Sequence, residues 1–302
     1  MHNMHGAFFE WGGRRVVESE LTGGLIGLNF EPDQTCDVGA LVLAGSSGAV
    51  PVERARLLSQ LGMRVVALKW FGGTGQSPGI CEVPVETFEI AIDRLVAAGC
   101  TRIMLLGTSK GAEAALLTAS VDARVNLVVA LSPSSVVWAN VGPGLDGYEW
   151  PLRSSFTWRG NPFPFVPHEA EALLSVGRLP PIRYLQLFRQ SIETFSDHLG
   201  TAAIPISQTR ADVILAAGED DQLWPSAWFA REIADQLAAL GRPPTLLISP
   251  DAGHRILFPG ETTARSTINL HGGTDEGDLA LGSLVWAEIE KWVEGSSGRF
   301  VD

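Results

Sequence analysis

Apolar residues along this chain gather into short unbroken runs, separated by stretches in which they recur at helical spacing. Val38-Gly39-Ala40-Leu41-Val42-Leu43, Arg64 to Lys69, Arg102-Ile103-Met104-Leu105-Leu106, Leu127-Val128-Val129-Ala130-Leu131, Ala211 to Ala217 and Leu246-Leu247-Ile248-Ser249 read as strands. A strand covered by helices on both faces has no polar side to present, so it loses the alternation of a half-exposed strand. Between the runs, Ala55, Leu57, Leu58 and Leu61 mark a helix from Pro51 to Leu61, and Val85 to Ala98 forms another with Gly99 as its cap. Val16 to Leu21 and Leu25 to Phe30, split by Gly23-Gly24, predict an antiparallel hairpin at the start. Strands alternating with helices predict an α/β fold with a doubly wound, mostly parallel sheet.

The alternation stops between residues 134 and 208. Trp138, Trp150, Phe156, Trp158, Phe163 and Phe165 lie there among prolines and glycines, with one helix expected from Ile182 to Phe195. An insertion after the sixth strand is where a cap over an active site sits. Trp138 and Trp158, with Trp224 further along, are candidates to line an apolar acyl pocket. The same aromatics would serve equally well to pack the insertion onto the sheet.

No linker, charge run or repeat divides the 302 residues, so one domain over residues 1–302 is expected, with 134–208 inserted in it. The 45% of apolar residues are ample for its core, and a net charge of −12 would repel nucleic acid and anionic membranes. Neither is expected as a partner, and a small molecule is. Three scattered cysteines, Cys36, Cys81 and Cys100, supply neither a disulfide framework nor a zinc site. With no apolar run of signal-peptide or membrane-span length, a cytoplasmic protein is expected. Oligomeric state is not legible.

Gly107-Thr108-Ser109-Lys110-Gly111 joins the run ending at Leu106 to an Ala/Leu-rich stretch from Ala112 to Leu117. A serine between glycines at a sharp strand-to-helix turn is a nucleophile elbow, because a side chain at either flank would strike the neighbouring backbone. Such a serine needs a base and an acid, and they follow in order. Gly218-Glu219-Asp220-Asp221 ends one strand, and Asp251-Ala252-Gly253-His254 follows the next. Each polar residue thus lies past the carboxyl end of a strand, the arrangement of an α/β-hydrolase fold. Ser109 is the expected nucleophile, and His254 the base, since imidazole titrates near neutral pH. Asp221 is the expected acid, lying three residues after Gly218 and four before Pro225. Its neighbour Asp220 is expected to cap the helix that begins near Trp224.

An oxyanion hole requires two donors. One is expected from the backbone N–H of Lys110, the other from Ser46 or Ser47 in the loop Gly45-Ser46-Ser47-Gly48. The Lys110 side chain reads as a solvated helix charge, with contact to a substrate phosphate or carboxylate as the alternative. Phe71-Gly72-Gly73-Thr74-Gly75 lacks both phosphate-loop spacings and reads as a turn. A triad with an oxyanion hole requires no cofactor and no metal.

From about Val38 onward the chain resembles the C-terminal domain of the acyl-CoA thioester hydrolase and bile acid-CoA:amino acid N-acyltransferase family. The elbow carries the resemblance together with Gly218-Glu219-Asp220-Asp221-Gln222-Leu223-Trp224-Pro225-Ser226, Ala252-Gly253-His254 and the late His271-Gly272-Gly273-Thr274. It implies a nucleophile that takes an acyl group from a CoA thioester, CoA or a carrier protein being substrate rather than bound cofactor, and passes it to water or an amine. Conjugating members use Cys where this chain has Ser109, which favours hydrolysis. Eukaryotic members carry an N-terminal β-sandwich that the stretch before Val38 is too short to form. The expectation is an acyl-thioester hydrolase with a covalent acyl-serine intermediate. Transfer to an amine or alcohol, and hydrolysis of a carboxylic ester or dienelactone, are the alternatives.

Overall fold

A computed structural model describes residues 7–11, 14–177 and 179–295. Strands β1 (Ala7–Trp11), β2 (Arg14–Glu20) and β3 (Ile26–Pro32) form an antiparallel meander. Then come β4 (Val38–Leu43), α1 (Val52–Gln60), β5 (Arg64–Lys69), the short β6 (Val83–Pro84), α2 (Glu86–Ala97), β7 (Arg102–Thr108), α3 (Lys110–Val121) and β8 (Val125–Leu131). An irregular region follows with β9 (Phe156–Trp158), β10 (Asn161–Pro162), α4 (Ala170–Ser175), α5 (Leu185–Thr194) and α6 (Leu199–Ala202). The chain closes with β11 (Asp212–Gly218), α7 (Ser226–Ala239), β12 (Thr245–Ser249) and α8 (Asp275–Glu294).

Among the described residues, nine strands form one sheet in the order β1-β2-β3-β5-β4-β7-β8-β11-β12, and from β5 onward the pairing is parallel. Every residue of β4 is buried, as its unbroken apolar run requires. Side chains of β4 alternate between two cores: Leu41 and Leu43 join α2 and α3 on one face, while Val38, Ala40 and Val42 join α1 and α8 on the other. The chain goes from β4 to β5 on one side and later returns to β7 on the other. That reversal opens a crevice at the carboxyl ends of β4 and β7, where α/β sheets bind ligands.

Two expectations need correcting. Ala7–Trp11 adds an edge strand paired Phe8↔Val17, so the irregular region follows the seventh strand of the large sheet rather than the sixth. An edge strand of five residues without alternation gives little periodic signal, and only Gly12-Gly13 hinted at a hairpin. The region 134–208 is also more regular than its composition suggests. Val83 of β6 pairs with Phe156 of β9, stitching the region to the entrance of α2. Among the described residues no helix is long and apolar enough to cross a membrane.

Candidate active site

Ser109 sits between β7 and α3 with φ 58° and ψ −122°, a conformation that residues with a Cβ rarely adopt. The flanking glycines explain how the turn closes. A Cβ at Gly107 would lie 2.1 Å from the Gly111 carbonyl oxygen, and one at Gly111 would lie 2.5 Å from the Ala44 oxygen. Backbone cannot retreat from such contacts, so the elbow and the loop after β4 meet only because neither glycine has a side chain. The Lys110 N–H, first in α3, takes no acceptor among the described residues and is free for an anion.

Asp221 follows β11 and is 2% exposed. Its Oδ2 accepts from His254 Nδ1 at 2.8 Å and from Ser226 Oγ at 2.6 Å, while Oδ1 accepts from the N–H groups of Leu223 and Trp224. The carboxylate is the acceptor in all four contacts. That fixes the His254 proton on Nδ1 and leaves Nε2 as a base. Asp220 does not cap the following helix as expected. Its Oδ2 accepts from Gly273 N–H at 2.8 Å, tying the turn after β11 to the loop before α8. Asp221 takes the turn N–H groups instead, because only its carboxylate faces inward.

Backbone contacts hold the His254 loop from three sides. His254 N–H donates to the His271 carbonyl at 2.8 Å, the His254 carbonyl accepts from Ser132 Oγ at 2.9 Å, and Asp278 of α8 accepts from Gly253 N–H at 2.9 Å. Arg54 of α1 then links the loop to the elbow. Its guanidinium pairs with Glu261 at 2.7 Å, donates to Thr108 Oγ1 at 2.7 Å and donates to the Ile256 carbonyl at 2.8 Å. Ser109 and His254 are thus each within two residues of one clamp. The Ser109 hydroxyl takes no hydrogen-bond partner among the described residues, so the serine-to-histidine contact is open here. Such contacts commonly tighten only when substrate is bound.

Ser109 and Lys110 line a cavity of about 220 Å³ with Ser46, His168, Phe188 and Trp224. Ser47 lines a separate cavity of about 490 Å³ with Gly45, Thr108, His254 and His271. Of the two loop serines, Ser46 thus shares the described cavity of Ser109, and Ser47 lines the other. Of the three tryptophans expected to line the acyl pocket, Trp224 does, its ring 5.9 Å from that of His254. Trp138 lies fully buried behind the wall, stacked on His168, and Trp158 packs against the main core. Trp150, Tyr184 and Phe188 line the cavity as well; Tyr184, Leu187 and Phe188 stand three and four residues apart at the start of α5, a spacing the helix expected over 182–195 carries, whereas no periodicity marks Trp150.

Burial governs the charges nearby. His168 and His271 are each pushed down to about 4, chiefly by loss of water, and each has a buried Nδ1 without a partner among the described residues. Lys110 is not the solvated charge expected. Its ammonium is 3% exposed, pairs with fully buried Glu113 at 2.6 Å and donates to Ser155 Oγ at 2.8 Å. Burial draws this lysine below its ordinary value and raises Glu113, each opposed by the attraction of the other. The other Glu113 oxygen accepts from Trp138 N–H at 3.1 Å, so the pair fastens α3 to the region 134–208. Among the described residues no group of three His, Cys, Asp or Glu is placed to hold a metal.

Comparison with known proteins gives the fold and the family. Over 98% of this chain and 99% of its own, a lipase in its open form superposes with a TM-score of 0.53 at 13% identity. An esterase of Pyrococcus furiosus, Pf2001, does so over 97% and 99% with a TM-score of 0.52 at 14% identity. Both establish the α/β-hydrolase fold. Human acyl-coenzyme A thioesterase 6 is 24% identical over 274 residues, covering 87% of this chain and 61% of the relative. Mouse mitochondrial acyl-coenzyme A thioesterase 2 is 26% identical over 227 residues, covering 73% and 45%. The chain thus spans about half the length of the curated relatives it matches. The profile of the family described as BAAT / acyl-CoA thioester hydrolase C terminal matches residues 83–273, from β6 through the elbow, Asp221 and His254 to the loop before α8. The chain belongs to the BAAT / acyl-CoA thioester hydrolase C-terminal family.

Proposed function

We propose that this protein hydrolyses acyl thioesters of the acyl-CoA type through a covalent acyl-Ser109 intermediate. The observation that carries the reading is the buried Asp221–His254 hydrogen bond, which leaves the other imidazole nitrogen as a base, together with a serine held on a strand-to-helix elbow that lines an apolar cavity. Ser109 Oγ attacks the thioester carbonyl carbon as its proton passes to His254 Nε2, and Asp221 stabilises the imidazolium. The oxyanion is held by the Lys110 N–H and by a second donor from the loop bearing Ser46. Collapse of this intermediate breaks the carbon–sulfur bond, and the thiol departs with the proton from His254. Water then gives up a proton to His254 and attacks the acyl-serine, releasing the carboxylic acid and restoring Ser109.

In this reading the region 134–208 is a cap whose aromatic side chains keep the acyl group dry. The carrier, CoA or a carrier protein, is a substrate, and the chemistry calls for no resident cofactor. A cytoplasmic setting, proposed from the composition alone, is tested by imaging the tagged full chain, and accumulation in another compartment contradicts it. The enzymatic reading is tested by comparing thioester with oxygen-ester turnover in the wild type and in Ser109→Ala. Thioesters should be hydrolysed faster, and the variant should be inactive with its melting temperature preserved. Turnover surviving in the variant contradicts the mechanism.

A further inference from the structure

The site stands between two cavities of different character. On one side, the space of about 220 Å³ runs from Ser109 beneath the cap to His168, Leu187 and Phe188. One wall is a close-packed aromatic cluster. The ring of Trp138 lies 4.7 Å from Phe188, 5.8 Å from His168 and 6.2 Å from Phe229, and Phe188 lies 5.5 Å from Trp224. Rings packed on one another from several directions leave no slack for a longer ligand. On the other side, Gly45 and Thr108, which abut Ser109, border the space of about 490 Å³ that also holds His254 and His271.

Proton transfer decides which end of the substrate occupies which space. His254 must reach the departing sulfur, so the thiol side belongs to the cavity that His254 lines. The acyl side then points the other way, into the cavity that Ser109 and Lys110 line. An apolar cavity of about 150 Å³ holds the six carbons of benzene, so the acyl cavity, at about 220 Å³, holds roughly six to nine carbons.

We propose that this protein is selective for short- to medium-chain acyl groups, of roughly six to nine carbons, with the cap aromatics as the stop and the thiol-bearing arm seated in the cavity beyond His254. The assignment rests on the acyl-thioester reading given above. Leu173 and Trp150, partly exposed at the cap, border the mouth of the acyl cavity, and Phe188 sets its depth.

The test is kcat/KM for straight-chain acyl-CoA thioesters from acetyl to palmitoyl with the full chain. Up to the point where the cavity is full, kcat/KM should rise about fourfold per methylene, the gain expected from burying one. It should peak between hexanoyl and octanoyl and fall at least tenfold by palmitoyl. Leu173→Trp, at a position 47% exposed, narrows the cavity without touching the core and should move the peak to shorter chains. Phe188→Ala should move it to longer ones. A profile that stays flat or climbs through palmitoyl overturns the assignment, as does a peak that Leu173→Trp leaves in place, and in both cases the hydrolase reading survives. Turnover of no thioester at any length overturns the underlying function and this assignment with it.

Discussion

His254 Nδ1 donates to Asp221 Oδ2 across 2.8 Å, and the neighbouring Asp220 points away to hold the Gly273 N–H. Two adjacent carboxylates therefore have separate tasks. Asp221→Asn should keep the fold but present an amide to the imidazole, favouring the wrong tautomer and lowering kcat on the order of 10⁴-fold. Asp220→Asn should act on stability and leave kcat within a few fold. Steady-state kinetics of both variants checks this, and equal losses in kcat would contradict the division.

Ser109 carries a Cβ at φ 58°, a strain of about 1–3 kcal/mol that the elbow imposes. Ser109→Ala retains it and Ser109→Gly removes it, at an entropic cost of roughly 0.5–1 kcal/mol. Both variants should be inactive, with the glycine variant melting higher. Denaturant unfolding of the pair provides the comparison, and an alanine variant at least as stable as the glycine one would remove the claim of strain.

The Lys110–Glu113 pair is buried where α3 meets the region 134–208. Lys110→Met should destabilise the protein by about 3–5 kcal/mol, because it leaves a buried carboxylate without its partner. Lys110→Met combined with Glu113→Gln should recover much of that loss. If Lys110 instead met a substrate phosphate, the single variant would raise KM at unchanged stability, so unfolding curves and KM together decide.

His168 and His271 titrate at about 4 in the folded protein, against 6.5 for an ordinary imidazole. Between those values the unfolded chain binds more protons, so stability rises with pH across the window. The contribution is complete above pH 6.5, is lost as the pH falls toward 4, and levels off below. His168→Leu should flatten the slope by about one proton, measured as the urea midpoint from pH 4 to 7.5. A slope identical to that of the wild type would contradict the burial of this imidazole.

What the sequence reveals here, it reveals through steric necessity. Gly107, Ser109 and Gly111 are legible because the turn tolerates nothing else at its flanks, and the order of Ser109, Asp221 and His254 follows the carboxyl ends of successive strands. Spacing from Gly218 and Pro225 was enough to prefer Asp221 to Asp220. Outside α5 the cavity wall was not legible. Trp138 is fully buried and Trp150 is 70% exposed, yet both lie in one irregular stretch whose side-chain directions depend on contacts far along the chain. Lys110 and Glu113 look like an ordinary surface pair at helical spacing. What buries them is Ser155 and Trp138, more than twenty residues away. Arg54 carries no sequence signal for the same reason, since its partners Thr108, Ile256 and Glu261 meet it only in the folded state.

The acyl-serine is the step on which the mechanism turns, and it can be weighed. Wild-type protein mixed with hexanoyl-CoA, quenched in acid within milliseconds and digested, should yield a peptide containing Ser109 heavier by one hexanoyl group, and His254→Ala should yield none. Hydrolysis that proceeds with no such adduct, or with the acyl group on another residue, would contradict the account.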